Sequence, residues 1–285
     1  MRIDRLLAEA TTRLTAAGSP TPRLDAEVLL AHVLRRDRTW LYTWGDRELD
    51  GFERARFEAL VAARDRGQPV AYLTGEREFW GLPLLTEATT LIPRPDTETL
   101  VEAALAGDTP ESAAVLDLGT GSGAIALALA SERPGWRVIG VDRIAAAVAL
   151  ARRNAARLGI PNVAFDESDW FDALAGRRFA LIVANPPYLA GDDPHLARGD
   201  VRFEPVSALV AGDRGRADLL HLIDAARLHL LAGGRLLLEH GMEQGEWLRE
   251  AFRAAGFASV HTHADLAGLP RVTEGRWPGT STDGA

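Results

Sequence analysis

Hydrophobic positions along the chain follow two rhythms. Up to about residue 75 the spacing is helical. Leu24, Val28, Leu29, Val33 and Leu34 recur at helical intervals, and Phe52, Arg56, Ala59, Leu60 and Ala63 follow a similar beat. Ser19-Pro20-Thr21-Pro22 punctuates the first two helices. Residues 1–75 therefore read as a small helical bundle. Between 76 and 92, Phe79, Trp80, Leu82, Leu84 and Leu85, with Gly81 and Pro83 among them, predict a hairpin connector.

From about residue 111, strand-like and helix-like runs alternate. Strands are predicted at Ala114–Leu118, Arg137–Val141, Val163–Asp166, Phe179–Ala184, Arg235–Glu239, 258–263 and 271–276. Helices are predicted from Ala124 and over 143–158, 215–231 and 243–255. This alternation defines an α/β domain, residues 93–277, built on a mostly parallel seven-stranded sheet with helices on both faces. The Gly/Ser/Thr/Asp-rich tail, 278–285, is expected to be disordered.

Composition narrows the chemistry. The chain has no cysteine, and all 32 of its Lys+Arg residues are arginine. Thiolate nucleophiles, cysteine metal sites, Schiff bases and a P-loop lysine are thereby excluded. The charge is unevenly placed. Residues 1–80 carry 13 Arg against 13 Asp+Glu, so the whole net charge of -8 lies beyond them. Proteins that grip nucleic acid through phosphates show a basic stripe, and neither part has one, so a direct nucleic-acid partner is not expected. The N-terminus lacks the apolar core of a signal peptide and no apolar run approaches a membrane span, so a cytoplasmic protein without a membrane partner is expected.

Two motifs carry the chemistry. The first predicted strand runs into Gly119-Thr120-Gly121-Ser122-Gly123, with Asp117 just ahead. Alternate glycines allow a sharp turn and close backbone approach, and the following helix points its N-terminus at whatever is bound. Asp142 ends the second strand, where an acid can accept both hydroxyls of a ribose. The spacing points to a nucleoside-type cofactor. A dinucleotide fingerprint places its third glycine one residue later, which puts S-adenosylmethionine ahead of NAD. Asp117 also suits contact with an amino-acid moiety.

The second motif, Asn185-Pro186-Pro187-Tyr188, follows the fourth strand. Its prolines fix φ twice and restrict the residues before them, giving a stiff loop with outward carbonyls. A planar amino group is a poor nucleophile because its lone pair is delocalised. The Asn185 side-chain oxygen and the Pro186 carbonyl could accept its two N–H bonds and localise that pair, while the Tyr188 ring stacks on its flat face.

The glycine turn with Asn185–Tyr188 resembles class I S-adenosylmethionine-dependent amino-methyltransferases. Arg77-Glu78-Phe79-Trp80, Leu91-Ile92-Pro93-Arg94-Pro95-Asp96-Thr97-Glu98, Ser168-Asp169-Trp170-Phe171 and Val201-Arg202-Phe203-Glu204-Pro205 extend the resemblance to the release factor glutamine methyltransferases. It covers nearly the whole chain and fades after Pro278. It implies a Rossmann-like catalytic domain and transfer of a methyl group from S-adenosyl-L-methionine. The acceptor would be the side-chain nitrogen of glutamine in the Gly-Gly-Gln motif of peptide chain release factors 1 and 2. It further implies that Gly119, Thr120, Gly121, Ser122 and Gly123 hold the cofactor, with Asp142 on the ribose and Trp170 near the adenine. Asn185 would lie between cofactor and substrate, Asn185, Pro186, Pro187 and Tyr188 would hold the glutamine amide, and Arg94 to Glu98 would close over the cofactor. The helical segment 1–75 would recognise the protein substrate.

Rival readings are glutamine methylation of a ribosomal protein, methylation of a nucleic-acid amino group, which in a duplex requires base flipping, and a non-catalytic cofactor-binding adaptor. His261 and His263, alternating on a strand with no third ligand near in sequence, and Glu239-His240 at the end of the fifth strand, are expected to be structural.

Overall fold

The computed structural model describes residues 1–279, so 280–285 of the tail lie outside the described residues. The chain forms two compact units. One joins Met1–Glu76 to Pro194–Phe203, and the other holds Arg77–Asp193 and the described residues from Glu204 onward.

The first unit contains helices α1 (Ile3–Ala16), α2 (Pro22–Leu34), α3 (Arg38–Thr43), α4 (Gly51–Asp65) and α5 (Val70–Thr74). Leu6, Leu14, Leu29, Leu30, Phe57 and Val61 meet in its core. Asp50 and Glu53 form a capping box that starts α4. Two residues of the predicted rhythm lie off the buried face: Leu24 is 41% exposed and Phe52 71%. On α2 the buried stripe is Ala26, Leu29, Leu30 and Val33, and Leu24 sits about 200° round the helix from Ala26. On α4 the stripe is Phe57, Val61 and Arg64, and Phe52 lies about 140° from it. Arg64 is buried because its charge is paired. Its Nε donates to Asp25 at 2.7 Å and its Nη1 to Asp200 at 2.6 Å.

The second unit opens with the hairpin β1 (Glu76–Phe79) and β2 (Leu82–Leu85), followed by α6 (Glu98–Ala106). The large sheet takes β3 (Ala114–Leu118), β4 (Arg137–Asp142), β5 (Val163–Glu167), β6 (Phe179–Ala184), β7 (Leu230–Glu239), β8 (Ala258–Ala264) and β9 (Pro270–Arg276). Their order is β5-β4-β3-β6-β7-β9-β8. The first five are mutually parallel, and β9 runs antiparallel to both β7 and β8. Helices α7 (Ala124–Glu132), α8 (Ala145–Leu158), α10 (Ala217–His229) and α11 (Gly245–Ala254) connect them, with the single turn α9 (Gly212–Gly215) ahead of α10. This is the seven-stranded, mostly parallel sheet that the alternating pattern predicts.

Strands β3 and β6 are apolar along most of their length because helices cover both faces of a parallel sheet. Several boundaries move by one or two residues; the largest change is at β7, which begins at Leu230, five residues before the predicted start, and takes the end of the helix predicted over 215–231. Its register jumps from Phe179↔Leu230 to Leu181↔Arg235, and the irregularity takes up Gly233 and Gly234. The order also fixes where a ligand can sit. The chain walks outward from β3 to β5, then returns to lay β6 against the other side of β3. Beyond the carboxyl ends of β3 and β6, where the order reverses, a parallel sheet opens a crevice.

Candidate active site

That crevice is an open cavity at the carboxyl ends of the strands, where open α/β sheets hold ligands. Gly119, Thr120, Gly121 and Ser122 line it after β3, Asp142 at the end of β4, Ser168 and Trp170 after β5, and Asn185 and Pro187 after β6. Phe79, Thr90, Arg94 and Thr97 line it from segments preceding β3. Gly123, Pro186 and Tyr188, expected to hold the cofactor or the substrate, do not line it.

The turn after β3 is held by its own polar groups. Gly119, Gly121 and Gly123 have φ of +70°, +55° and +85°. A Cβ on Gly123 would stand 3.0 Å from Phe165 and 3.1 Å from Ala151, so this glycine seats α7 against the sheet. A Cβ on Gly119 would stand 3.4 Å from the Trp170 ring, which lies across the turn. Asp142 Oδ2 accepts from the Gly121 N–H at 2.9 Å and Oδ1 from the Ile144 N–H at 2.9 Å. Each carboxylate oxygen has a second lone pair, so Asp142 can still accept two hydroxyls from the cavity. Asp117 takes another place than contact with a ligand: it is fully buried and does not line the cavity. Its Oδ2 accepts from Thr120 Oγ1 at 2.6 Å and from the Ala126 N–H at 3.2 Å, while Oδ1 has no partner. Burial pushes its pKa up to about 7, against the two hydrogen bonds and with help from the Asp142 charge.

Trp170 is placed by a stapled turn. Ser168 Oγ donates to the Trp170 carbonyl at 3.0 Å and accepts from the Ala173 N–H at 3.0 Å, and the Ser168 N–H donates to the Asp142 carbonyl at 3.0 Å. Trp170 itself has a φ of +45°, rare for a bulky side chain and suited to a residue held over a ligand site. A planar ring beside the glycine turn and an acid with free lone pairs form a cradle for a nucleoside.

Arg94 approaches the cavity from the other side, with Nη2 2.5 Å from Oε1 of the buried Glu204. Glu98 points elsewhere and accepts from the Trp80 N–H at 2.9 Å.

Asn185 sits where β6 ends, and its Nδ2 donates to Thr97 Oγ1 at 3.2 Å. Glu239, at the end of the neighbouring strand β7, is 1% exposed. Burial raises its pKa to about 7, opposed by hydrogen bonding from Thr97, by the Arg271 charge and by hydrogen bonding from Asn185. Tyr188, partly buried, lies near it, and loss of solvent, then the Glu239 charge, raise its phenol pKa. His240, just past the end of β7, turns away: its Nδ1 contacts the Gly241 carbonyl at 2.8 Å and its Nε2 the Thr273 hydroxyl at 2.9 Å. Glu239 and His240 thus have separate surroundings.

Sequence reasoning passed over Asn154, took Thr97 only as part of the segment expected to close over the cofactor, and read Glu239 as structural. Asn154 lies on α8 with both ends of its amide committed. Its Oδ1 accepts from the Leu85 N–H at 2.8 Å, and its Nδ2 donates to the Ser122 carbonyl at 2.9 Å and the Leu85 carbonyl at 3.2 Å. It ties hairpin strand β2 to the glycine turn. An asparagine among alanines and arginines on a helix gave no local signal for this.

His261 and His263 do find a third group in space, Glu274 on β9, with ligand-type atoms within 4.8 Å of one another. Both Glu274 oxygens already accept from Arg235, at 2.7 and 2.9 Å, so a guanidinium holds the position a metal would need.

The chain is similar to known proteins in sequence and in fold. Residues 5–75 match the PrmC N-terminal domain, and residues 96–200 match the methyltransferase small domain. In fold the chain is similar to a methyltransferase from Pyrococcus furiosus, with a TM-score of 0.54 and 18% identity over 78% of this chain and 98% of that one. The sheet order and the matched domain define a Rossmann-like methyltransferase. The sequence is 53% identical over 277 residues to the release factor glutamine methyltransferase of Escherichia coli (strain K12), covering 97% of this chain and 99% of that protein. It is 55% identical over 259 residues to the enzyme of the same name from Pseudomonas aeruginosa, covering 91% and 94%. The chain belongs to the release factor glutamine methyltransferase family.

Proposed function

We propose that this protein uses S-adenosyl-L-methionine to methylate the side-chain amide nitrogen of the glutamine in the Gly-Gly-Gln motif of peptide chain release factors 1 and 2. The observation that carries the reading is that Asn185 and the nucleoside cradle of Gly119–Ser122, Asp142 and Trp170 open onto one cavity. The cradle fits the cofactor. Asp142 has lone pairs for two ribose hydroxyls, Trp170 offers a ring for the adenine, and a Cβ at Gly119 would narrow the space beside that ring. When bound, S-adenosylmethionine supplies an electrophilic methyl group on a positively charged sulfur.

The chain's own task is to make an amide nitrogen nucleophilic. Asn185 Oδ1 and the Pro186 carbonyl accept the two N–H bonds of the glutamine amide and hold its lone pair toward the cofactor side of the cavity. Pro186 and Pro187 keep those acceptors from turning away. A methylated amide nitrogen sheds its extra proton readily to water, so no general base is required. The Tyr188 phenol, whose pKa is raised by burial, stays neutral and is suited to packing rather than proton transfer.

Combining the enzyme with labelled cofactor and each release factor tests the reading. Label is expected on the release factors, and not on bare DNA or RNA or on a release factor whose motif glutamine is replaced. Equal label on the replaced protein would overturn it.

A further inference from the structure

One buried acid beside the cavity has no task yet. Glu239 ends β7 next to Thr97 and Asn185, which line the cavity, without lining it itself; it is 1% exposed and has an Oε2 without a hydrogen-bond partner. A carboxylate oxygen left without a partner at that depth is costly, and a strand end needs no acid there. Its neighbours explain its presence. Thr97 and Asn185 both offer it hydrogen bonds, and Asn185 Nδ2 also donates to Thr97 Oγ1 at 3.2 Å.

We propose that Glu239, together with Thr97, is the positioning residue that sets which end of the Asn185 amide faces the substrate. The proposal rests on the reading of Asn185 as an acceptor for the substrate amide. A carboxylate only accepts hydrogen bonds, so it can face only the NH2 end of Asn185. Thr97 completes the relay, taking a hydrogen bond from Asn185 and giving its own to Glu239. With the NH2 end committed, Oδ1 is the end left for the substrate N–H. A protonated Glu239 is itself a donor and removes that constraint. Asn185 can then present its NH2 end, which repels the substrate amide.

The switch between these states belongs near neutral pH, because burial raises the Glu239 pKa to about 7. The groups acting on it are Thr97 and Asp96 ahead of α6, Asn185 and Tyr188 after β6, and Arg271 on β9. Arg271 favours the charged form and Asp96 opposes it, and Arg271 also contacts Asp96 at 3.3 Å. His240, beside it in sequence, is spent on Thr273 and Gly241. The folded pKa lies above the usual value, so the locking carboxylate appears as pH rises through about 7.

The chain has three asparagines, 154, 162 and 185, so isotope labelling at asparagine gives few side-chain signals to assign. In the protein without substrate, the Asn185 NH2 signals are expected to shift with a midpoint near pH 7. In Glu239→Gln they should not titrate. Titration of Asn185 that persists unchanged in Glu239→Gln, or none in the wild type, overturns the proposal. Turnover gives the second arm. Glu239→Gln imitates the protonated acid, so its kcat should equal wild type near pH 6 and fall about tenfold below it near pH 8, with cofactor Kd within about threefold. Thr97→Val, which keeps the acid, should show a smaller loss of the same kind. Wild-type kcat at about pH 8 in Glu239→Gln contradicts the proposal. If the wild type fails to methylate any release factor, the proposed function fails, while the spectroscopic arm still decides the role of Glu239.

Discussion

Asn185 carries most of the chemical argument, and its removal should separate binding from reaction. On the proposed function, Asn185→Ala deletes an acceptor of the attacking amide, while the glycine turn and Asp142 remain. Turnover is expected to fall by about 10²–10³-fold with cofactor Kd nearly unchanged, measured by single-turnover kinetics and calorimetry. A second residue-scale prediction concerns Asp117. Its carboxyl is raised from 3.8 to about 7 in the fold. The neutral form is therefore favoured on folding, and that contribution is complete below the unfolded value and lost as pH rises through about 7. Asp117→Asn imitates the neutral acid. In urea unfolding without cofactor it should match wild type near pH 4 and exceed it near pH 8, by up to about 4 kcal/mol. A variant less stable at both pH values would show that the charge itself is needed to hold Thr120 and Ala126. Single residues were unevenly legible. Asn185 and Asp142 stand out because they end strands in motifs with one chemical use. Glu239 also ends a strand, yet its meaning depends on Thr97, which is 142 positions away.

At the scale of elements, the glycine turn is a packing joint as well as a ligand contact. Gly123→Ala would meet Phe165 at 3.0 Å and require an alanine at φ +85°. It is expected to destabilise the second unit by about 1–3 kcal/mol and to weaken cofactor binding, read as paired shifts in the urea midpoint and the Kd. Strands were easy to locate because the buried parallel sheet demands uninterrupted apolar runs. Their mostly parallel arrangement was accessible too, since strand–helix alternation implies crossover connections, whereas their order in the sheet came from the structure. The start of β7 was not, because its first five residues join the strand through a register jump that only the pairing with β6 reveals. Helix faces in the first unit were also partly misread. Phe52 and Leu24 are apolar but exposed, and Arg64 is charged but buried through Asp25 and Asp200. Pairing across long separations overrides local pattern for β7 and for Arg64.

For the molecule as a whole, the division of labour follows the charge. The neutral helical segment brings no cluster of catalytic side chains, whereas residues beyond 80 carry the net -8 and every group lining the cavity except Phe79. On the proposed function a single glutamine side chain offers little to recognise, and we propose that the first unit holds the rest of the protein substrate. Trp44 and Phe52 are 51% and 71% exposed there, and exposed aromatics are favoured anchors in protein interfaces. Trp44→Ala combined with Phe52→Ala should raise the release-factor KM about tenfold with the cofactor Kd unchanged. Equal changes in both would place the recognition surface elsewhere. Among the described residues no helix is long and apolar enough to cross a membrane.

The most direct test of the central claim is fragment mass spectrometry of release factors 1 and 2 after reaction with this enzyme and S-adenosyl-L-methionine. The predicted result is one added methyl group, located on the side-chain nitrogen of the Gly-Gly-Gln glutamine and absent when Asn185→Ala replaces the wild type. A methyl group on any other residue, or one that Asn185→Ala adds at the wild-type rate, would contradict it.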